Sequence, residues 1–203
     1  MVDPAAPAAD LRRCARGAAW LQRQRMQEKR LRPELPIECR CSHRHERFQL
    51  AFARKAIEFL PRDEEIAFEP SARGLTVLAG TEMALERPLR RLREVYGDEV
   101  RIDPPAVRYH QGPTLEEPHM GLRVLCAPEH FDSIRHDLDV RGASITDAEV
   151  NRRFGIVRAS APLAALFGFP DRLAHLTSGH AQLVMWLSHY EPLQDPPTGG
   201  NAA

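Results

Sequence analysis

The chain has 203 residues, with 28 Lys+Arg against 28 Asp+Glu and a formal net charge of zero. That length supports one domain or two small ones. Neutrality excludes a bulk polyanion binder, so any nucleic-acid contact must be local. The charge is uneven: residues 1–114 hold 21 basic and 17 acidic side chains, and residues 115–203 hold 7 and 11.

In chain order, residues 1–9 are rich in Ala and Pro and are expected to be disordered. Asp10 can cap a helix in which Leu11, Cys14, Ala18 and Leu21 fall at helical spacing. The opposite face carries Arg12, Arg13, Arg16, Arg23, Arg25, Lys29 and Arg30, and Pro33 and Pro36 end this basic arm. Ile37 to Cys41 alternates apolar and polar residues and predicts a strand. Phe48, Phe52, Ala56, Phe59 and Leu60 predict a helix stopped by Pro61. Ile66–Phe68 and Leu75–Leu78 read as strands joined by a turn over Pro70 to Gly74. Met83, Leu85, Leu89, Leu92, Val95 and Tyr96 predict an amphipathic helix ended by Gly97, and Val100 to Ile102 a short strand.

The same order then recurs. Gly121–Cys126 reads as a strand, Pro128–Val140 as a helix, Ala143–Ala148 and Phe154–Ser160 as strands, Leu163–Phe167 as a helix and Gln182–Tyr190 as a strand. Two successive β-α-β-β-α-β units predict an α+β protein of two tandem ferredoxin-like domains behind an N-terminal helical arm. The expected boundaries are 1–34 for the tail and arm, 35–110 for the first domain and 115–195 for the second. The short linker His110–Thr114, with its Gly112-Pro113 step, predicts domains in contact.

Four cysteines, at 14, 39, 41 and 126, call for no disulfide. With no secretory apolar region and no long apolar run, the protein is expected to be soluble and cytoplasmic. Arginines far outnumber the two lysines, Lys29 and Lys55, and with many Ala and Pro this suggests a GC-rich bacterial genome. No Gly-x-x-x-x-Gly-Lys-Ser/Thr loop occurs, so no nucleotide-hydrolysing site of that kind can be built.

Cys39, Cys41, His43 and His45 are all zinc-competent. A straight strand would spread the first and last by about 20 Å, so a shared metal needs a bend after Cys41. The plainer reading is two buried strand cysteines entering a polar turn, and no metal or cofactor is predicted. Six of the nine histidines, His119, His130, His136, His175, His180 and His189, lie in the second domain. They are scattered over different elements, and spacing pairs none of them into a catalytic site.

The run Val157-Arg158-Ala159-Ser160-Ala161-Pro162-Leu163, then Phe167-Gly168-Phe169, Leu173 to Gly179 and His189-Tyr190-Glu191-Pro192, carries the most specific pattern. With Leu115 to Met120 and Ala127 to Phe131 upstream, it resembles the C-terminal domain of elongation factor G, a translational GTPase. Glu82 to Glu86, Tyr96-Gly97 and Pro105 to Tyr109 resemble, more weakly, the third domain of that family. There the family motif Gly-x-Gly-Glu-Leu-His-Leu-Glu has lost its glycines to Ala79 and Thr81 and its histidine to Ala84. The resemblance runs from about residue 35 to 195, and Tyr109 runs into Leu115 with no room for the family's fourth domain. The GTPase and barrel domains are expected to be absent.

The resemblance implies a non-enzymatic, ribosome-associated modulator near the elongation-factor site, meeting large-subunit rRNA and the stalk base. The missing phosphate loop leads to the expectation of no nucleotide, and the lack of a long apolar run to that of no membrane. The family's basic turn, commonly Asn-Arg-Arg-Arg-Gly, reads Asp139-Val140-Arg141-Gly142-Ala143 here, leaving Arg135, Arg141, Arg152 and Arg153 as candidate rRNA contacts. Arg12, Arg13, Arg16 and Arg23 of the arm could add to them. The resemblance makes His189 structural. A rival reading is a protein-interaction or self-association module that has left the ribosome, which the acidic second half favours.

Overall fold

The computed structural model describes residues 35–111 and 113–193. The expectations for residues 1–34, including Arg12, Arg13, Arg16, Arg23 and Cys14, lie outside the described residues. The first half runs β1 (Ile37–His43), α1 (Gln49–Phe59), β2 (Ile66–Ser71), β3 (Gly74–Ala79), α2 (Glu82–Tyr96) and β4 (Val100–Ile102). Its antiparallel sheet has the order β2-β3-β1-β4, and a short β5 (Ala106–Val107) adds to β1. The second half runs β6 (His110–Gln111), β7 (Leu115–Cys126), α3 (Phe131–Val140), β8 (Ser144–Val150), β9 (Gly155–Pro162), α4 (Leu163–Leu166), α5 (Phe169–Thr177) and β10 (Gln182–Pro192). Its order β10-β7-β9-β8 repeats the first topology. Two antiparallel four-strand cores, each with the 4-1-3-2 order of a ferredoxin-like fold, therefore follow one another.

Each core sits between one sheet face and its helices. In the first, Ile37, Cys39, Cys41, Leu75 and Val77 meet Phe52, Ala53 and Ala56 of α1 and Leu85 and Leu92 of α2, all buried. In the second, Met120, Leu122, Val124, Val157 and Ala159 meet Phe131, Ile134 and Leu138 of α3, with Phe169 and Leu173 of α5 completing the layer. Successive strand residues face opposite ways, so each period-two apolar run becomes one core face.

Several elements differ from the sequence reading. Pro70 lies inside β2 instead of in the turn, which is tolerated because β2 is an edge strand. The turn itself is Ala72-Arg73, and Gly74 follows at φ 117°, where a Cβ would lie 2.4 Å from the Cys41 carbonyl oxygen. β7 is twelve residues long, and its early polar half is paired to β10. Residues 169–177 form a helix that is not among the elements read from the sequence: Gly168, at φ 71°, reverses the chain after α4, and Pro170 starts α5 without needing a donor. The expected linker contributes β6, which pairs with β7 through His110↔Glu116 and Gln111↔Leu115.

The two halves touch through Glu82 at the start of α2. Its Oε2 accepts the Gly168 N–H at 2.9 Å, placing a carboxylate at the N-terminus of α5. Burial pushes the Glu82 carboxyl up; the Gly168 bond pulls it back, Asp171 raises it further and Arg141 opposes that. A groove of about 420 Å³ beside this contact is lined by Leu85, Leu89, Arg93 and Pro105 on one side and Pro170 and Asp171 on the other.

Candidate nucleic-acid interface

The candidate arginines of the second domain fall into two places. Arg152 and Arg153 occupy the turn between β8 and β9. Asn151 builds that turn: its Oδ1 accepts the N–H groups of Arg153 at 2.8 Å and Phe154 at 3.0 Å, and its own N–H donates to the Phe154 carbonyl at 2.9 Å. Such an Asx turn fixes the backbone and turns both guanidinium stems outward. Both side chains are exposed, and among the described residues no acidic partner engages either one. Gly155, at the start of β9, packs against the Phe131 ring, so the turn lies beside the start of α3. Arg135 is one helical turn further along α3, exposed, and 4.0 Å from Asp132.

Arg141 is elsewhere and otherwise employed. It ends α3, about 15 Å of helix away from Phe131. Its Nε donates to Asp137 Oδ2 at 2.8 Å, and its Nη1 to the carbonyls of Ala165 at 2.9 Å and Phe167 at 3.2 Å. The guanidinium lies over the Phe169 ring at 5.5 Å. The side chain is 22% exposed, with its donors turned inward on α3, α4 and the Phe167 carbonyl that follows α4. Arg141 thus clamps the α3, α4 and α5 ends together, and the structure does not bring it to Arg152 and Arg153.

The open face of the second sheet holds a further set of polar side chains. Core-facing Met120, Leu122 and Val124 alternate with Glu117, His119, Gly121 and Arg123, which face away from the helices. Arg123 pairs across to Arg158, and Arg158 is ion-paired with Asp147. Trp186 of β10 lies flat against Gly121, where an added Cβ would sit 2.5 Å from the indole, and is 48% exposed. An exposed aromatic beside exposed arginines is the residue set that stacks on unpaired bases. Composition gave no sign of this face; the sheet register assembles it.

The metal candidates of the first half divide into a buried cysteine pair and a histidine pair whose ring centroids lie 5.5 Å apart. Cys39 and Cys41 point into the core and are fully buried. Cys39 Sγ donates to the Asp103 carbonyl at 3.2 Å. The thiol of Cys41 is pushed up, first by its bond to Cys39 and then by burial, while that bond draws the Cys39 thiol down. The His43 ring packs against Phe52 and Tyr96, and His45 is exposed and 3.7 Å from Glu99. A buried thiol held as a donor is a poor ligand for an ion reached from solvent. Spacing pairs none of the histidines, but the sheet register brings two together: His119 and His189 stack with ring centroids 5.2 Å apart, and Glu191 joins them.

Comparison with known proteins follows the same division. The family described as "Elongation factor G C-terminus" matches residues 114–198. Over 82 residues the chain is 38% identical to the mitochondrial ribosome-releasing factor 2 of Danio rerio, covering 40% of this chain and 11% of that protein. Over 82 residues it is 33% identical to elongation factor G of Granulibacter bethesdensis, and over 81 residues 37% identical to elongation factor G 1 of Pseudoalteromonas atlantica, each time 40% of this chain and 12% of the relative. The chain thus matches about one-eighth of the length of these relatives. A crystal structure from Thermus thermophilus, of ttk003000868, superposes with a TM-score of 0.57 over 80% of this chain and 41% of that one, at 16% identity. That likeness shows the fold, and it extends well beyond residues 114–198. Among the described residues no helix is long and apolar enough to cross a membrane.

Proposed function

Taking residues 114–198 as an elongation factor G C-terminal domain, we propose that this chain is a ribosome-associated, non-GTP-hydrolysing relative of the translation factors. In this reading it modulates translation by occupying part of the factor-binding region. The first domain is the counterpart of the family's third domain. The second domain contacts large-subunit rRNA through Arg152 and Arg153, with Arg135 beside them. The observation that carries this reading is the Asn151 turn, which presents two exposed guanidinium groups with no acidic partner among the described residues. Fixed, unneutralised arginines are suited to bidentate phosphate contact. The sequence holds no phosphate-cradling loop, so in this reading the protein competes for or tethers to a site and drives no movement.

The test is co-sedimentation of the purified chain with bacterial ribosomes through a sucrose cushion across a salt series. The chain should pellet at low salt and be released as salt rises. The double variant Arg152→Glu, Arg153→Glu should pellet less and show a shallower salt dependence, by about one unit of slope per lost contact. No pelleting at low salt, or equal pelleting of the variant, overturns the reading.

A second reading, a protein-interaction module, is favoured by β10. This eleven-residue strand lies at the edge of its sheet and carries exposed Val184 and Trp186. An open edge can accept a strand from another chain. Concentration-dependent self-association in sedimentation velocity, abolished by Trp186→Lys, is its signature.

A further inference from the structure

We propose that His119, His189 and Glu191 form a binding site for a zinc ion on the open face of the second sheet. The register of β7 and β10 sets His119 opposite His189 and Glu117 opposite Glu191. A bulge between Leu187 and His189 shifts the alternation of β10. Even-numbered Val184 and Trp186 face outward before it, and odd-numbered His189 and Glu191 after it. Two imidazoles and two carboxylates from neighbouring strands therefore share one patch.

His189 Nε2 is 2.7 Å from Glu191 Oε1, and His119 Nε2 is 3.3 Å from Glu191 Oε2. Glu117 Oε1 lies 3.8 Å from His119 Nε2. One donor atom from each of His119, His189 and Glu191 falls within 4.8 Å of the others. A tetrahedral zinc with bonds of about 2.0–2.2 Å needs its ligands about 3.3–3.6 Å apart, so small side-chain rotations close the set. Two histidines and a carboxylate are an ordinary zinc ligand set, leaving a fourth position for water or Glu117. The Ser188 hydroxyl, 3.1 Å from His189 Nδ1, can accept the Nδ1–H. That tautomer leaves the Nε2 lone pair facing the site.

The charge balance points the same way. Two carboxylates converge on two imidazoles, and a single N–H on His119 cannot satisfy both Glu117 and Glu191. A dication satisfies both carboxylates and both ring nitrogens together. The patch is reached from solvent, since the His189 side chain is 48% exposed, while the 14% exposure of His119 gives the site a floor. It lies at the Pro162 end of β9, and the Asn151 turn lies beyond the Gly155 end, about 23 Å along the strand. Loss of one site therefore leaves the other in place.

The test uses the full chain, reduced, stripped with a chelator and dialysed, titrated with Zn²⁺ in a calorimeter and melted with and without Zn²⁺. One ion should bind per chain, and Zn²⁺ should raise the melting temperature. His119→Gln and His189→Gln, which keep size and hydrogen bonding, should each weaken binding by about tenfold or more and abolish the shift. His175→Gln, outside the patch, should bind like wild type. Melting of the metal-free variants near the wild-type temperature separates loss of ligand from loss of fold. No saturable uptake, or uptake unchanged in both patch variants, overturns the proposal.

Discussion

Replacing Arg141 by Ala separates a structural arginine from a ribosome-facing one. The substitution removes the bond to Asp137, the two bonds to the Ala165 and Phe167 carbonyls and the contact over Phe169. Asp137 is not orphaned, because Arg172 Nε also reaches it at 3.2 Å. The half-buried carbonyls regain some water. Counting about 1 kcal/mol for each lost hydrogen bond and about 0.5–1 kcal/mol for the ring contact, the cost is about 2–4 kcal/mol. For a chain of this size that is a fall of about 5–15 °C in melting temperature. Arg141→Lys keeps the charge but not the forked geometry, and should lose most of the same stability. Arg152→Ala with Arg153→Ala removes only exposed groups and should change stability by about 0.5 kcal/mol or less. Melting curves and ribosome pelleting on the same proteins make the comparison. If Arg141→Ala melts like wild type and loses pelleting as Arg152 and Arg153 variants do, the clamp is the wrong account of Arg141.

Glu82→Gln keeps an acceptor for the Gly168 N–H and removes a carboxylate that burial disfavours. A raised folded-state value means that Glu82 supports the fold best when protonated and loses that support as pH rises through the folded value. The melting temperature of Glu82→Gln should therefore meet wild type in acid, where Glu82 is protonated, and exceed it by a constant margin once pH has passed the raised folded value; a variant less stable than wild type at pH 7.5 contradicts this. Glu82→Ala also deletes the bond and should fall about 1 kcal/mol below Glu82→Gln in chemical denaturation. Gly155→Ala would bring a Cβ to 2.7 Å from the buried Phe131 ring and should cost about 1–3 kcal/mol, read by urea unfolding. Gly74→Ala meets both φ 117° and a fixed carbonyl at 2.4 Å, so at least about 2 kcal/mol should be lost, and a neutral result would mean that the β2–β3 turn rearranges.

Much of this fold is legible in the chain because each core face obeys a period. Leu85, Leu92 and their neighbours repeat at helical spacing, and Val157, Ala159 and Ala161 at strand spacing, and these are the residues the core buries. Elements without such a period were not legible. α5 opens on Phe169-Pro170-Asp171 just after a left-handed glycine, a composition shared with turns, and only packing of Phe169 and Leu173 decides for a helix. The first half of β7 reads as polar because its outward residues are Glu117 and His119, while Pro118 and Met120 supply the buried side. Arg141 was legible as a cation at a helix end, but its carbonyl partners, Ala165 on α4 and Phe167 just after it, lie 24 and 26 residues away, beyond any local pattern.

The His119–His189 pair shows why the open face was harder to read than the core. His189 and Glu191 share a face by simple alternation, and that much is visible in the sequence. Whether they share a face with Trp186 depends on the bulge at Ser188, since unbroken alternation would put Trp186 and His189 on opposite sides. His119 stands 70 positions from His189, and only the register of β7 against β10 makes them neighbours. A core tolerates errors in such a reading because apolar side chains are interchangeable in kind. A ligand set does not, because moving one nitrogen to the other face removes the site. Deleting Ser188 removes the bulge residue and sets His189 two places after Trp186, so plain alternation then keeps Trp186, His189 and Glu191 together on the open face, still opposite Gly121, His119 and Glu117. Zinc uptake should therefore persist in that deletion, weakened only by loss of the Ser188 hydroxyl beside His189, whereas His119→Gln should lose the zinc-induced rise in melting temperature; a folded deletion variant that takes up no zinc contradicts this account of the bulge.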